Sequence, residues 1–282
     1  MSEQFFTDPT VTELIEGNIA QVEALEEKQA RKLLKSFRAV RQQLQDRLLT
    51  IPEGTFTEQQ MNVTMIQVDA AIQAINKRLK GDMATSSGIL SKRGIEDLAR
   101  EITRFSKKFE GSIQPLNINM IAIAQDSKNF LINKHEASID AYSAALRSQI
   151  AQNITNAMIM RDTTQRTVSG LVSDVGRFFV GEEWKLQRIV RTEMHGMYNF
   201  SKLNGLAKVQ AGTLPDLKKT LYHPMDSRTG ADSKELNKDN PIIPIDEPFV
   251  QTWKGTKWVF QFPPNRPNDR AILVPYRVAW AK

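Results

Sequence analysis

Apolar side chains recur through the first 110 residues at steps of three and four. Val11, Ile15, Ile19 and Val22, followed by Leu33, Phe37, Val40, Leu44, Leu48 and Ile51, trace one such stripe. That period places them on a single face of an α-helix. The spacing predicts one long helix over about 9–51, capped by Thr7 or Asp8, with Pro9 in its first turn. At ~1.5 Å per residue such a helix approaches 60 Å. The polar run "EEKQARK" (26–32) weakens the stripe in its middle, and "PEGT" (52–55) stops it. A second stripe, Met65, Val68, Ile72, Ile75 and Leu79, belongs to a helix starting near Thr57; Leu98, Ile102, Phe105 and Phe109 resume it. Between the two halves, "GDMATSSGILSKRG" (81–94) holds three glycines and three serines, and a break or kink is expected there. The two helices read as a long antiparallel hairpin whose narrow stripes cover one another.

"GSIQPLN" (111–117) reads as a joint. Helical pattern returns over about 118–160, with Ile139, Tyr142, Leu146, Ile150 and Ile154 on one face. Asp162 and Gln165 have the spacing of a capping box for a short helix to about Phe179, ended by Gly181. A further helix is expected from about Glu182 to Ala211, closed by Gly212. Beyond it the pattern shortens. Most of the prolines and three of the four tryptophans lie there, around β-like runs "KTLYH", "PFVQTW", "KWVFQF" and "AILVPYRVAW". Gly255 and Thr256 are placed to close a hairpin between the middle two. The expected fold class is mainly α with a small β-rich C-terminal unit (α+β) and a long N-terminal helical hairpin. Along the chain this gives a helical hairpin over 1–112, a helical body over 113–212 and a β-rich module over 213–282.

Composition narrows the function classes. Hydrophobic residues make up 40% and charged residues 25% of 282, enough apolar material for a real core. Formal charge is +6, read along the sequence as a mild excess with acids interleaved. It permits contact with a polyanion without demanding it. With no cysteine, disulfides, thiolate metal sites and cysteine nucleophiles are excluded. The first residues lack the basic-then-apolar order of a secretory signal. The apolar run "INMIAIA" (118–124) is far short of the ~20 residues that cross a bilayer.

Tests for catalytic motifs are negative. His135–Glu136 opens like a zinc-protease helix, but the position of the second histidine is Ile139. There is no GxSxG elbow and no phosphate-cradling GxxxxGK loop. The stretch "RIVRTEMHGMYN" (188–199) concentrates polar groups on a helix, with Thr192, His195 and Asn199 on one face and Glu193 and Met197 on the next. A catalytic reading makes Glu193 a base and His195 an acid. A structural reading has Arg191, Glu193 and Asn199 bonding neighbouring loops. A second cluster, "YHPMDSRTGADS" (222–233), carries Asp226 and Arg228, either as a turn or as partners for the first cluster.

Taken in order, Arg191, Thr192, Glu193 and Asn199, then Leu221, Tyr222, Asp226 and Arg228, then "PIDEPF" (244–249) and "PPNRPNDRA" (263–271), resemble the phage Mu F-like head morphogenesis, or minor head, proteins. The likeness spans about residues 120–276; the N-terminal hairpin is similar to the family only in being helical. Two departures stand out. The chain reads "TGADS" after Arg228, where family members often carry a histidine, and "PNDRA" where many have a cysteine motif. The resemblance implies a structural virion protein, assembled in the host cytoplasm and acting in head assembly and DNA ejection. It implies docking on the portal protein or the major capsid protein. The long amphipathic helices supply surface for such a partner or for self-association through the N-terminal helices, and the modest basicity suits nonspecific contact with packaged DNA. With the motif tests and the short apolar runs, no catalytic residue, cofactor, metal or membrane is expected. Arg191, Thr192, Glu193, Asn199, Asp226 and Arg228 are then a structural signature. The alternatives are a nonspecific DNA-binding virion protein and an enzyme using Glu193 and His195.

Overall fold

In the computed structural model of the chain, residues 2–50, 58–112, 116, 119–159, 168–224, 226–228, 231, 233, 241–267 and 269–281 are described. The chain is mainly helical: α1 (Ser2–Thr7), α2 (Pro9–Leu49), α3 (Glu58–Glu110), α4 (Met120–Ile159) and α5 (Val168–Gly212). Four short strands follow: β1 (Lys218–Tyr222), β2 (Phe249–Trp253), β3 (Thr256–Phe260) and β4 (Ile272–Tyr276), then a 3₁₀ turn (Val278–Ala281). This is the expected mainly α architecture with a small β-rich C-terminal part. Asp8 caps α2, its Oδ1 accepting from the Thr10 amide at 2.8 Å. Gly111, at φ +68°, follows the end of α3. No helix among the described residues is long and apolar enough to cross a membrane.

The chain compacts into two units that do not follow its order. Unit 1 comprises Met1–Glu27, Thr85–Ile132 and Arg191–Lys282; unit 2 comprises Lys28–Ala84 and Asn133–Val190. Each takes a segment from all four long helices. In unit 2, Leu33, Phe37 and Leu44 of α2, Val68, Ile72, Ile75 and Leu79 of α3, Ile139, Leu146 and Ile150 of α4, and Phe179, Leu186 and Val190 of α5 are all buried. Asp69 pairs with Arg147 and Lys80 with Asp140, which makes α3 and α4 antiparallel there. Arg38 and Arg41 reach Glu183, and Gln45 the Val172 carbonyl, which does the same for α2 and α5. The α2 and α3 stripes therefore bury against α4 and α5 as well as each other, rather than closing a two-helix seam.

Unit 1 holds both sheets. β1 pairs antiparallel with β4, Lys218 opposite Tyr276 and Tyr222 opposite Ile272. β2 and β3 form a hairpin with Trp253 opposite Thr256. Its two turn residues are Lys254 (φ 47°) and Gly255 (φ 80°), one position earlier than the expected Gly255–Thr256. Positive φ at both positions is the backbone twist that a two-residue hairpin needs. The β4 side chains are buried along the whole strand. Phe5 packs edge-on against Phe105 at 5.3 Å and Tyr276 at 5.4 Å and lies nearly parallel to Trp280 at 6.3 Å.

Two expected interruptions are absent. α3 runs unbroken through 81–94, because the small residues there form a packing face. Ser87, Ser91, Gly94 and Leu98 recur at helical spacing; Ser87, Ser91 and Leu98 are fully buried, and Ser91 Oγ donates to the Ala124 carbonyl at 2.6 Å. A Cβ on Gly94 would stand 2.5 Å from the Tyr198 carbonyl oxygen, so only glycine lets α5 approach this closely. Likewise α5 is one helix from Val168 to Gly212 and Gly181 lies inside it. A mid-helix glycine costs only about 1 kcal/mol, less than the burial of Phe179 and Leu186 on either side contributes. The Asp162–Gln165 capping box, Ile51, "PEGT" and Thr57 lie outside the described residues.

Candidate functional site

The polar stretch 188–199 falls on α5, and from Arg191 onward it belongs to unit 1. Arg191 is half-buried and ion-paired through Nη2 with Glu27 Oε2 of α2. One turn along, His195 is buried. Its Nδ1 lies 2.8 Å from Glu26 Oε1 and its Nε2 2.7 Å from the Ala271 carbonyl oxygen. Both neighbours can only accept, so the ring donates twice and is an imidazolium. Burial alone pulls its pKa down. The charge of Glu26, the hydrogen bonds to Glu26 and Ala271, and the charge of Asp269 outweigh that and push it up to about 9.

Asn199, fully buried one turn further on, works on the backbone of β4. Its Oδ1 accepts from the Leu273 amide at 2.8 Å; its Nδ2 donates to the Ala271 carbonyl at 3.3 Å and to the His195 carbonyl at 3.2 Å. A side-chain amide here does what a neighbouring strand would do, and α5 holds an otherwise open edge of β4. Thr192 lines the same cleft as Arg191 and His195. Glu193 is half-buried on the adjacent face of α5, about 100° round the helix.

The second cluster meets the first through α2. Asp226 Oδ1 accepts from the Arg228 amide at 3.0 Å and from Arg270 Nη1 at 2.7 Å. The Arg270 hydrogen bond, helped by those from Arg228, holds the Asp226 carboxyl well below the usual carboxylate range. Arg228 Nη2 reaches Glu23 Oε2 at 3.1 Å, and Arg270 Nε also donates to Glu23. Asp269, buried, ties its own loop by accepting from the Ala271 and Asn265 amides at 3.1 and 3.2 Å. Glu23, Arg228, Asp269 and Arg270, with Ala20 and Ala24 of α2, border a cleft of about 640 Å³. Thr229, Gly230 and Asp232 of the sequence motif lie outside the described residues.

A further polar network was not legible as a motif. Lys202 and Glu101 are both fully buried, with Nζ 2.7 Å from each carboxylate oxygen; Asn18 donates to the same Glu101 at 2.8 Å. Asp97, also buried, takes Arg93 at 2.8 Å, Arg100 at 3.1 Å and the Tyr198 hydroxyl at 3.1 Å. Ser201 donates to Ser91 at 2.8 Å. One face of α5 therefore carries polar ties well past Asn199. The missed partners of the first cluster, Glu23, Glu26 and Glu27, did leave a signal. Residues 1–27 contain seven Asp and Glu and no Lys or Arg, whereas 191–282 hold 14 Lys and Arg against nine Asp and Glu. Such opposed segments are natural partners in a fold.

Chemically, the cleft has four carboxylates (Glu23, Glu26, Glu27 and Asp269) facing three arginines and an imidazolium. His195 has both nitrogens engaged, so it can take part in proton transfer only by breaking a buried bond. No protein-family model matches the chain, nor does any curated protein or solved structure.

Proposed function

We propose that the chain is a structural minor head protein of a tailed bacteriophage, residing in the virion, docked on the portal protein or the inner face of the major capsid protein, and acting in head assembly. The observation that carries this reading is the use made of the signature residues. Asn199 bonds the β4 backbone, Arg191 pairs with Glu27, Arg228 pairs with Glu23, and Asp226 pairs with Arg270. Groups that recur in order in a head-protein family serve in this chain as ties between distant segments. The long helices of each unit supply surface for a ring-shaped partner.

The experiment is mass spectrometry of particles produced from the genome that encodes this chain, with co-purification of the tagged chain. Peptides of the chain in purified particles, and portal protein in the tagged eluate, are expected. Particles that lack it, with no loss of assembly or infectivity when it is deleted, would end the proposal. The enzymatic rival is read separately. In Glu193→Gln a loss of folding stability would favour the structural reading, whereas lost function with unchanged stability would revive the enzyme.

A further inference from the structure

The formal charge, interleaved along the sequence, is unevenly divided in space. Unit 1 holds 21 Lys and Arg against 21 Asp and Glu, while unit 2 holds 17 against 11. The chain's entire +6 therefore belongs to unit 2. Within it the cations gather on α2: Lys28 to Arg41 includes six Lys and Arg and no Asp or Glu. Lys28, Arg31, Lys32, Lys35 and Arg38 are all exposed, and their three- and four-residue spacing sets them on the face opposite the buried Ala30, Leu33 and Phe37.

Ion pairing neutralises only part of this face. Lys32 binds Asp82 at 2.7 Å and Arg38 binds Glu183 at 2.6 Å. Among the described residues no carboxylate pairs with Lys28 or Lys35, nor with Arg78 of α3. The Lys32–Asp82 bond sets α3 beside this face, and Arg78, one turn before Asp82, adds a cation there. No large apolar side chain is exposed along 28–38 or 77–82 among the described residues. That absence discriminates between partners. A protein interface centres on apolar groups within a polar rim, and a membrane-surface helix needs an apolar face to insert. A row of cations alone suits a polyanion with regular charges. Lys28 to Arg38 spans about 15 Å, and duplex DNA presents about one charge per 1.7 Å of axis.

We propose that the α2 face from Lys28 to Arg38, with Arg78, is a sequence-blind docking surface for nucleic acid that contacts backbone phosphates. It stands apart from the particle-docking reading, since free DNA and the purified chain are enough to test it.

The test is fluorescence anisotropy of a 30-base-pair mixed-sequence duplex against the full chain, between 50 and 200 mM KCl. Two variants are compared with wild type: Lys28→Gln/Arg31→Gln/Lys35→Gln on this face, and Lys92→Gln/Lys107→Gln/Lys208→Gln on exposed positions of unit 1. Each lost phosphate contact lowers the slope of log affinity against log salt by about 0.9. The face variant should therefore lose roughly 2 to 3 from the slope, while the control stays close to wild type. If the triple variant melts early, Lys35→Gln alone should lose about 1. Poly-glutamate and phosphatidylserine vesicles at equal charge should compete poorly. Salt-independent or undetectable wild-type binding, equal loss in both variants, or competition by either polyanion as effective as unlabelled duplex would overturn the proposal.

Discussion

His195 gives a stability test with a definite sign. In the unfolded chain it titrates near 6.5, and in the folded chain near 9. Below pH 6.5 both states carry the proton and the contribution of the Glu26–His195–Ala271 bonds is fully present. Between 6.5 and about 9 the unfolded chain releases the proton and the folded chain retains it, so unfolding sheds a proton and stability falls as pH rises. At 1.36 kcal/mol per pH unit this window corresponds to roughly 3 kcal/mol. The ring is buried, so solvent screening reduces this little. The comparison is wild type against His195→Gln, unfolded in urea at pH 6 and pH 9 and followed by tryptophan fluorescence. Three of the four tryptophans (Trp253, Trp258 and Trp280) lie in unit 1, so the signal reports mainly on the unit that holds the bond. The advantage of wild type over the variant should shrink by about 3 kcal/mol from pH 6 to pH 9. An advantage that is constant or grows with pH would refute the reasoning, as would an NMR titration placing His195 at or below 6.5.

Other outcomes follow from the buried pairs and close approaches. Lys202→Met strands Glu101 without its counter-charge and should lower the stability of unit 1 by about 3–5 kcal/mol in urea unfolding, while adding Glu101→Leu should restore at least half. Gly94→Ala would set a methyl against the Tyr198 carbonyl and should cost about 1–3 kcal/mol in the same assay. Gly81→Ala, with open space around the new Cβ, should raise thermal stability by about 0.5–1 kcal/mol.

The elements that sequence periodicity revealed are those whose faces are simply apolar. Val11 to Leu48 of α2 and Val68 to Phe105 of α3 announce their helices because burial there is carried by aliphatic side chains at steps of three and four. The stretch 81–94 was misread because serine and glycine mark turns when exposed and close helix contacts when buried. Ser87, Ser91 and Gly94 differ from turn residues only in what faces them, which lies more than 30 residues away. Gly181 misled for a similar reason, since the apolar positions on either side outweigh its propensity. At the site, the α5 half was legible as Thr192, His195 and Asn199 on one helical face, with Arg191 and Asn199 among the groups read as ties. The α2 half was hidden in a run that looked like a weak place in a hydrophobic stripe. Glu26 and Glu27 interrupt that stripe because they face charged groups on α5. Lys202 and Glu101 gave no local sign, since a buried ion pair 101 residues apart in sequence resembles any two surface charges.

The central claim is that polar groups on α5 are ties that hold distant segments in place, and amide hydrogen exchange in Asn199→Ala tests it most directly. The Leu273 amide donates to Asn199 Oδ1 in the wild-type fold. Losing that acceptor leaves a buried donor unsatisfied, at a cost of about 1–3 kcal/mol. Exchange at Leu273 should accelerate about tenfold or more, while amides around Leu33 and Ile150 in unit 2 keep their protection. Unchanged protection at Leu273 would contradict the account.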